Sequence, residues 1–276
     1  MKITIGVTTF NRRELLQLTA ESLARSASLE YCNIRIYDDC SDQFSVSDIK
    51  NMFPVDVNII RREKNIGADE NMRRMYIDFL DTGDDALVNC DADLLFRGDW
   101  IQLLTTLLPQ TDGVLSLYNS SNHPCVHELR ILETPLVEKE HLGSAGTVFS
   151  REIVAAIVHN VPSSRSYDWD WSRFLRREEK RLLCTRDSYV QHIGLDGHNS
   201  CKESIDYGLR FFPQDEWTMR HYLEFNERLL ETSSLLISEY KEFFQLNYWF
   251  KRTKLMSAMI EPLAKIKLRL YGDRRV

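Results

Sequence analysis

The stretch Ala86-Leu87-Val88-Asn89-Cys90-Asp91-Ala92-Asp93 decides the fold. It is a short apolar run, the length of a buried strand, that ends on two carboxylates one residue apart. Reading back toward the start, the same arrangement recurs. Ile34-Arg35-Ile36-Tyr37 ends in Asp38-Asp39-Cys40-Ser41, and Ile3, Ile5 and Val7 lead into Thr8-Thr9-Phe10-Asn11-Arg12. Strands are therefore expected from Ile3 on and over residues 33–37, 55–60 and 86–90. Between them the period changes. Asn11 offers an N-cap to a helix carrying Leu15, Leu16 and Leu23. Ala68, Met72, Met75, Tyr76 and Phe79 fall on one helical stripe. Strand-helix alternation of this kind predicts an α/β fold, a mostly parallel sheet flanked by helices. In such sheets ligands gather at the carboxyl ends of the strands, where these acids stand.

Beyond Pro109 the pattern loosens. Residues 114–117, 144–149 and 189–193 read as further strands. Residues 119–141 are polar, contain Pro124 and Pro135, and are expected to form a long, partly ordered connection. From Glu216 the chain turns helical, with no glycine between Leu209 and Tyr271. The expected division is a catalytic domain over residues 1–210, its halves meeting near residue 100, and a helical C-terminal extension over 211–276.

Composition narrows the classes. The chain has 276 residues, 43% hydrophobic and 28% charged, which excludes disordered and collagen-like chains. No apolar run reaches the roughly 18 residues of a membrane span, and the start has no leader pattern, so a cytoplasmic location is expected. The six cysteines lack paired spacing, which argues for free thiols and against a zinc ribbon. The net charge of −6 disfavours nucleic acid. That charge is uneven. From Lys251 on, eight Lys or Arg residues stand against two acids, so the tail carries +6 and residues 1–250 carry −12.

Two aspartates spaced as Asp91 and Asp93 are, behind a buried strand, can aim hard oxygen ligands at one divalent cation such as Mg²⁺ or Mn²⁺. An isolated acid pair is more often a solvated turn. Here a third strand end, residues 189–191, adds His192, and imidazole favours Mn²⁺.

In order along the chain, Thr8-Thr9-Phe10-Asn11-Arg12, Asp38-Asp39-Cys40-Ser41-Asp42, Asn65-Ile66-Gly67 and Asp91-Ala92-Asp93 resemble the nucleotide-sugar-binding half of family 2 glycosyltransferases of the GT-A fold. The resemblance continues more loosely to about residue 200. Gly143-Ser144-Ala145-Gly146 is similar to the acceptor-side segment, and Tyr167-Asp168-Trp169-Asp170-Trp171 stands at the family's Glu-Asp-x-Asp-Leu element. It implies an inverting, metal-dependent transferase with Mn²⁺ or Mg²⁺ as cofactor and a nucleotide sugar, UDP-linked by preference, as donor. Thr8, Phe10, Asp38, Asp39, Arg62, Asn65, Gly67, Asp91 and Ala92 would line the donor pocket. Asp91, Asp93 and His192 would hold the metal, and Asp168 would be the base. Two departures stand out. Cys40 replaces a usual glycine, and Tyr167 replaces the first acid of the Glu-Asp pair, which keeps Asp170 open as an alternative base.

The chemistry agrees with that assignment. Breaking the anomeric C–O bond leaves a diphosphate whose developing charge needs an electrophile. The attacking hydroxyl must lose a proton to a base. Direct displacement on the opposite face then needs only one carboxylate, unlike a glycosidase. A saccharide or lipid-linked saccharide acceptor in bacterial surface-polysaccharide assembly is the expected setting. Residues 248–276 combine an aromatic run, basic residues and an apolar stripe (Met256, Met259, Ile260, Leu263). They are expected to rest on an anionic membrane surface, as a peripheral anchor, or to pack on the catalytic domain or in a homodimer. Two rivals are a sugar-nucleotide pyrophosphorylase, which would need a glycine-rich loop after the first strand, and a non-catalytic binding or scaffold subunit.

Overall fold

In the computed structural model, residues 1–195 and 206–251 are described, the last eighteen of them as helix backbone only. The chain divides into two compact units, Met1–Phe225 and Asn226–Val276. The first is built on strands β1 (Ile3–Thr9), β2 (Cys32–Asp38), β3 (Val57–Arg61), β4 (Ala86–Asp91), β5 (Leu94–Phe96), β6 (Val114–Ser116), β7 (Cys125–Ile131), β8 (Thr134–Lys139), β9 (Thr147–Ser150), β10 (Leu183–Thr185) and β11 (Val190–His192). Helices α1 (Arg13–Leu23), α2 (Val46–Met52), α3 (Ala68–Leu80), α4 (Trp100–Leu107), α5 (Arg151–Asn160) and α6 (Tyr167–Arg177) connect them. The final helix is α7 (Glu216–Lys251).

Nine strands form one mixed sheet in the order β3-β2-β1-β4-β9-β6-β10-β8-β7, and β5 and β11 make a separate two-stranded ribbon. The half β3-β2-β1-β4 is parallel throughout, and its strands are apolar because helices cover both faces. Ile3, Ile5 and Val7 pack with Leu16, Leu23, Ile49 and Leu104 from α1, α2 and α4 on one side. Met75, Tyr76 and Phe79 of α3 meet Ile153, Ile157, Trp171 and Leu175 of α5 and α6 on the other. Parallel register places Thr8 opposite Asp91 and Thr9 opposite Asp38, so the strand-end acids share one edge.

Two expectations are corrected. Asn11 does not cap α1. It lies in the left-handed region (φ 57°), Arg12 occupies the cap position (φ 59°), and the Asn11 side chain instead accepts from Asp42 N and Gln43 N. Residues 119–141, expected as a long, partly ordered connection, contain the regular antiparallel hairpin β7–β8. Its strands alternate poorly because an edge hairpin leaves Val126, His127, Glu128 and Arg130 exposed. Its turn residues Leu132 and Glu133 both take positive φ, a geometry that Asn-Gly normally announces.

The expectation for residues 248–276 falls outside the described residues apart from helix backbone to Lys251, and so do His198 and Cys201. Among the described residues no helix is long and apolar enough to cross a membrane, and Cys32, Cys40, Cys90, Cys125 and Cys184 are free thiols.

Candidate active site

Asp91 closes β4 and Asp93 opens the turn into β5. That turn is fixed by α1, because Leu94 N donates to Thr19 Oγ1 (2.9 Å) and Phe96 N to Ser22 Oγ (2.7 Å). Two small hydroxyl residues on a buried helix face thus hold the backbone on which Asp93 sits. The ribbon partner β11 pairs His192 with Leu94 and brings His192 Nε2 to 3.2 Å from Asp93 Oδ2. The same Asp93 oxygen accepts from Arg12 Nη1. Asp91 accepts from Thr8 Oγ1 and Ser144 Oγ, each at 3.2 Å. The structure therefore brings together Thr8, Asp91, Asp93, His192 and Ser144, drawn from four regions of the sequence.

The electrostatics of the cluster divide the two acids. Burial, reinforced by the Asp93 charge, pushes the Asp91 carboxyl up. Burial acts on Asp93 in the same sense, but His192 and Arg12 outweigh it and hold the carboxyl below its ordinary range. Burial would depress His192, yet Asp93 and then Asp91 raise it to about 9. Among the described residues no three His, Cys, Asp or Glu side chains are already arranged to hold an ion. The donor types nevertheless fit a hard divalent cation, two carboxylates and an imidazole, and Asp93 Oδ1 is buried without a hydrogen-bond partner.

The expected donor-pocket residues line the same edge. Phe10 is exposed just past β1. Asp38 is fully buried. Its Oδ1 accepts from the Ser41 backbone and hydroxyl, and its Oδ2 lies 3.2 Å from Arg61 Nε. Asp39 accepts from Ile66 N (2.8 Å) and Gly67 N (2.9 Å), which pins the loop after β3 where Gly67, at φ 88°, starts α3. Asn65 Oδ1 also accepts from Gly67 N. Arg62 donates to Asn71 Oδ1 and lies over the Tyr37 ring. Ala92 is buried between Asp91 and Asp93.

The two candidate bases lie in the first turn of α6 and are placed differently. Both Asp170 oxygens are engaged, one by Ser164 Oγ (2.6 Å) and the other by Arg173 Nη1 (3.1 Å). Asp168 Oδ1 accepts from Trp169 N (2.8 Å), while Oδ2 faces His141 Nε2 at 3.9 Å. Burial, with the charges of Asp69 and Asp91 behind it, raises the Asp168 carboxyl to about 6. His141 is buried and stacks on Trp169 (centroids 3.7 Å, planes 12° apart). Burial, with His123 and Arg173 nearby, lowers it to about 3. Trp171 is wholly buried, whereas Trp169 is 47% exposed, so of the two tryptophans only Trp169 offers a surface to a sugar.

Sequence reasoning missed Arg12, His141 and Asp69. Arg12 stood inside a quoted motif without a role. His141 ends a stretch read as loop, and Asp69 accepts from Tyr167 N at the start of α6 (3.1 Å), a contact between helices that no local spacing announces.

Solved structures share the architecture. A mannosyltransferase from Pyrobaculum calidifontis, PcManGT in complex with GDP-Man and Mn²⁺, superposes with a TM-score of 0.51 at 15% identity, over 68% of this chain and 55% of that one. TarS 1–349 from S. aureus in complex with UDP-GlcNAc gives 0.51 at 15% identity, over 69% and 58%. GalNAc-T7 with UDP, GalNAc and Mn²⁺ gives 0.57 at 13% identity, over 69% and 43%. These likenesses establish the GT-A type of fold, and the chain spans less than two thirds of each of these proteins. No curated protein matches the chain in sequence. The family model described as glycosyl transferase family 2 matches residues 4–141, half of the chain, from β1 through the acidic pair to the β7–β8 hairpin, and the chain belongs to that family.

Proposed function

We propose that the chain is an inverting, metal-dependent glycosyltransferase that moves a sugar from a nucleoside-diphosphate donor, UDP-linked by preference, to a saccharide or lipid-linked saccharide acceptor. The observation that carries this reading is the meeting of Asp91, Asp93 and His192 at the carboxyl edge of the parallel strands, with the Asp168 carboxyl near enough to feel the Asp91 charge. Asp91, Asp93 and His192 would hold Mn²⁺ or Mg²⁺, which when bound supplies charge stabilisation to the departing diphosphate. Thr8, Phe10, Asp38, Asp39, Arg62, Asn65, Gly67 and Ala92 form the donor side, with Asp39 acting through the loop it pins. On the acceptor side, Asp168 takes the proton from the attacking hydroxyl as the new C–O bond forms and the bond to the diphosphate breaks. Asp168 is preferred to Asp170 because Ser164 and Arg173 already occupy both Asp170 oxygens. A carboxyl raised to about 6 is also a stronger base that is still ionised at neutral pH.

The setting we propose is cell-surface polysaccharide assembly, with residues 1–210 as the catalytic domain and the basic segment after residue 248 as its attachment to membrane or to a second subunit. The support for this is the resemblance and the tail composition.

A thermal-shift panel tests the donor and metal together. UDP, GDP and dTDP, each with and without Mn²⁺, should include one combination that raises the melting temperature. Ligand at a hundred times its dissociation constant adds about 2.7 kcal/mol to the native state. No metal-dependent shift with any of the three would overturn the proposal, and Asp93→Asn should abolish whatever shift is seen.

A further inference from the structure

Asp93 has an arginine of its own. Arg12 Nη1 donates to Asp93 Oδ2, and a hydrogen-bonded turn of the backbone delivers it. Asn11 and Arg12 are consecutive non-glycine residues at φ 57° and 59°, a left-handed conformation that L-residues other than glycine rarely adopt in succession. It is held by Asn11 N on Ser41 Oγ (2.7 Å), Asn11 Oδ1 under Asp42 N (3.0 Å) and Gln43 N (3.2 Å), and Arg12 N on Gln43 Oε1 (3.0 Å). Gly194 closes over the pair from the other side. A Cβ there would overlap Asp93 Oδ2, lie 3.0 Å from Asp93 Cγ and 3.3 Å from Arg12 Nη1.

The ion pair is specific yet incomplete. The Arg12 side chain is 31% exposed and that of Asp93 3%, so a partly exposed arginine reaches a buried carboxylate. Arg12 Nη2 and Asp93 Oδ1 are both buried without hydrogen-bond partners. A guanidinium has five donors in a planar fork suited to bidentate partners, and the carboxylate engages it through one nitrogen only. A diphosphate offers such a partner, with more oxygens than Asp93 presents.

We propose that Arg12 is an exchangeable counter-ion, which neutralises Asp93 while the site is empty of ligand and passes to the diphosphate of the donor when a divalent cation takes its place at the carboxylate. This rests on the metal-dependent reading above. The consequence is coupling. A cation arriving alone must displace a guanidinium from a buried carboxylate, with nothing offered to the guanidinium in return. A cation arriving with a diphosphate compensates it. Cation and diphosphate therefore strengthen each other's binding, by equal factors.

Mn²⁺ binding to the full chain, read from the electron paramagnetic resonance signal of free Mn²⁺ with and without UDP, GDP or dTDP, tests this directly. In wild type, Mn²⁺ alone should bind weakly and tighten about tenfold or more with the diphosphate, within the usual 5- to 150-fold range of such couplings. Arg12→Gln should bind Mn²⁺ alone about tenfold more tightly than wild type, and the diphosphate should then add less. Arg12→Lys keeps the charge and should retain part of the coupling, which also covers a failure of the glutamine variant to fold. A folded Arg12→Gln that binds Mn²⁺ alone no better than wild type overturns the exchange, and so does a wild type whose Mn²⁺ affinity ignores the diphosphate. The metal reading fails separately, if Asp93→Asn binds Mn²⁺ as wild type does.

Discussion

Replacing Asp168 by asparagine should stop the enzyme and stabilise it, and the two effects have one cause. The Asp168 carboxyl is raised from 3.8 to about 6, chiefly by burial. A raised carboxyl means that the folded chain binds more protons than the unfolded chain between those two values, so stability falls as pH climbs through that window. At pH 7 the charge is held at a cost of about 3 kcal/mol, at about 1.36 kcal/mol for each tenfold gain in proton affinity. The side chain is 29% exposed, so solvent screening reduces this to roughly 1–3 kcal/mol. Asparagine keeps the shape without the charge. Asp168→Asn should therefore melt roughly 2–10 °C higher at pH 7, at a few degrees per kcal/mol for a chain of this size. The advantage should shrink below pH 6 and vanish below about 4. Activity moves the other way. Loss of a general base costs about 10²- to 10⁴-fold, or roughly 3–5 kcal/mol of barrier. In wild type kcat/KM should rise with pH to a plateau above about 6, the value the buried carboxyl takes, and the variant should lack that limb. Calorimetry at pH 4, 5 and 7 together with transfer assays across the same range measures both. A variant with near wild-type activity, or one whose melting temperature at pH 7 does not exceed that of wild type, would refute the reasoning.

Two further outcomes follow from the site's supports. Gly194→Ala should leave circular dichroism intact but abolish the Mn²⁺-dependent thermal shift, because its Cβ would collide with the Asp93 carboxylate. A retained shift would show that the cradle yields. Asp39→Asn sets an amide group against the Ile66 or Gly67 N–H. It should lower stability by about 1–3 kcal/mol, seen as a lower urea midpoint at unchanged slope, and weaken nucleotide binding with it.

The parallel half of the sheet was legible because strands covered on both faces must be apolar, and Ile3, Ile5, Val7, Leu87 and Val88 leave no other reading. Helix α3 was legible for the complementary reason, since Met72, Met75, Tyr76 and Phe79 face one core. The β7–β8 hairpin was not, because an edge hairpin with charged outward residues and a turn of Leu132 and Glu133 shows neither alternation nor glycine. In the site, acids at strand ends could be found from their neighbours in sequence. Arg12, His141 and Asp69 act across the fold, and only tertiary packing brings a guanidinium to Asp93, an imidazole to Trp169 and a carboxylate to the start of α6.

The β5–β11 ribbon also says when the site comes into being during synthesis. Among the described strands β5 pairs only with β11, and Leu94 must wait for His192, roughly a hundred residues downstream, a contact of high order that forms late. The family-matched segment, residues 4–141, leaves the ribosome with the acidic pair in place, a bare strand edge at β5 and His192 still to come. Until β11 arrives that edge can pair with another chain as readily as with its own. A recombinant fragment cut at the family boundary would thus keep the acids and lose the site, and aggregation is its expected fate.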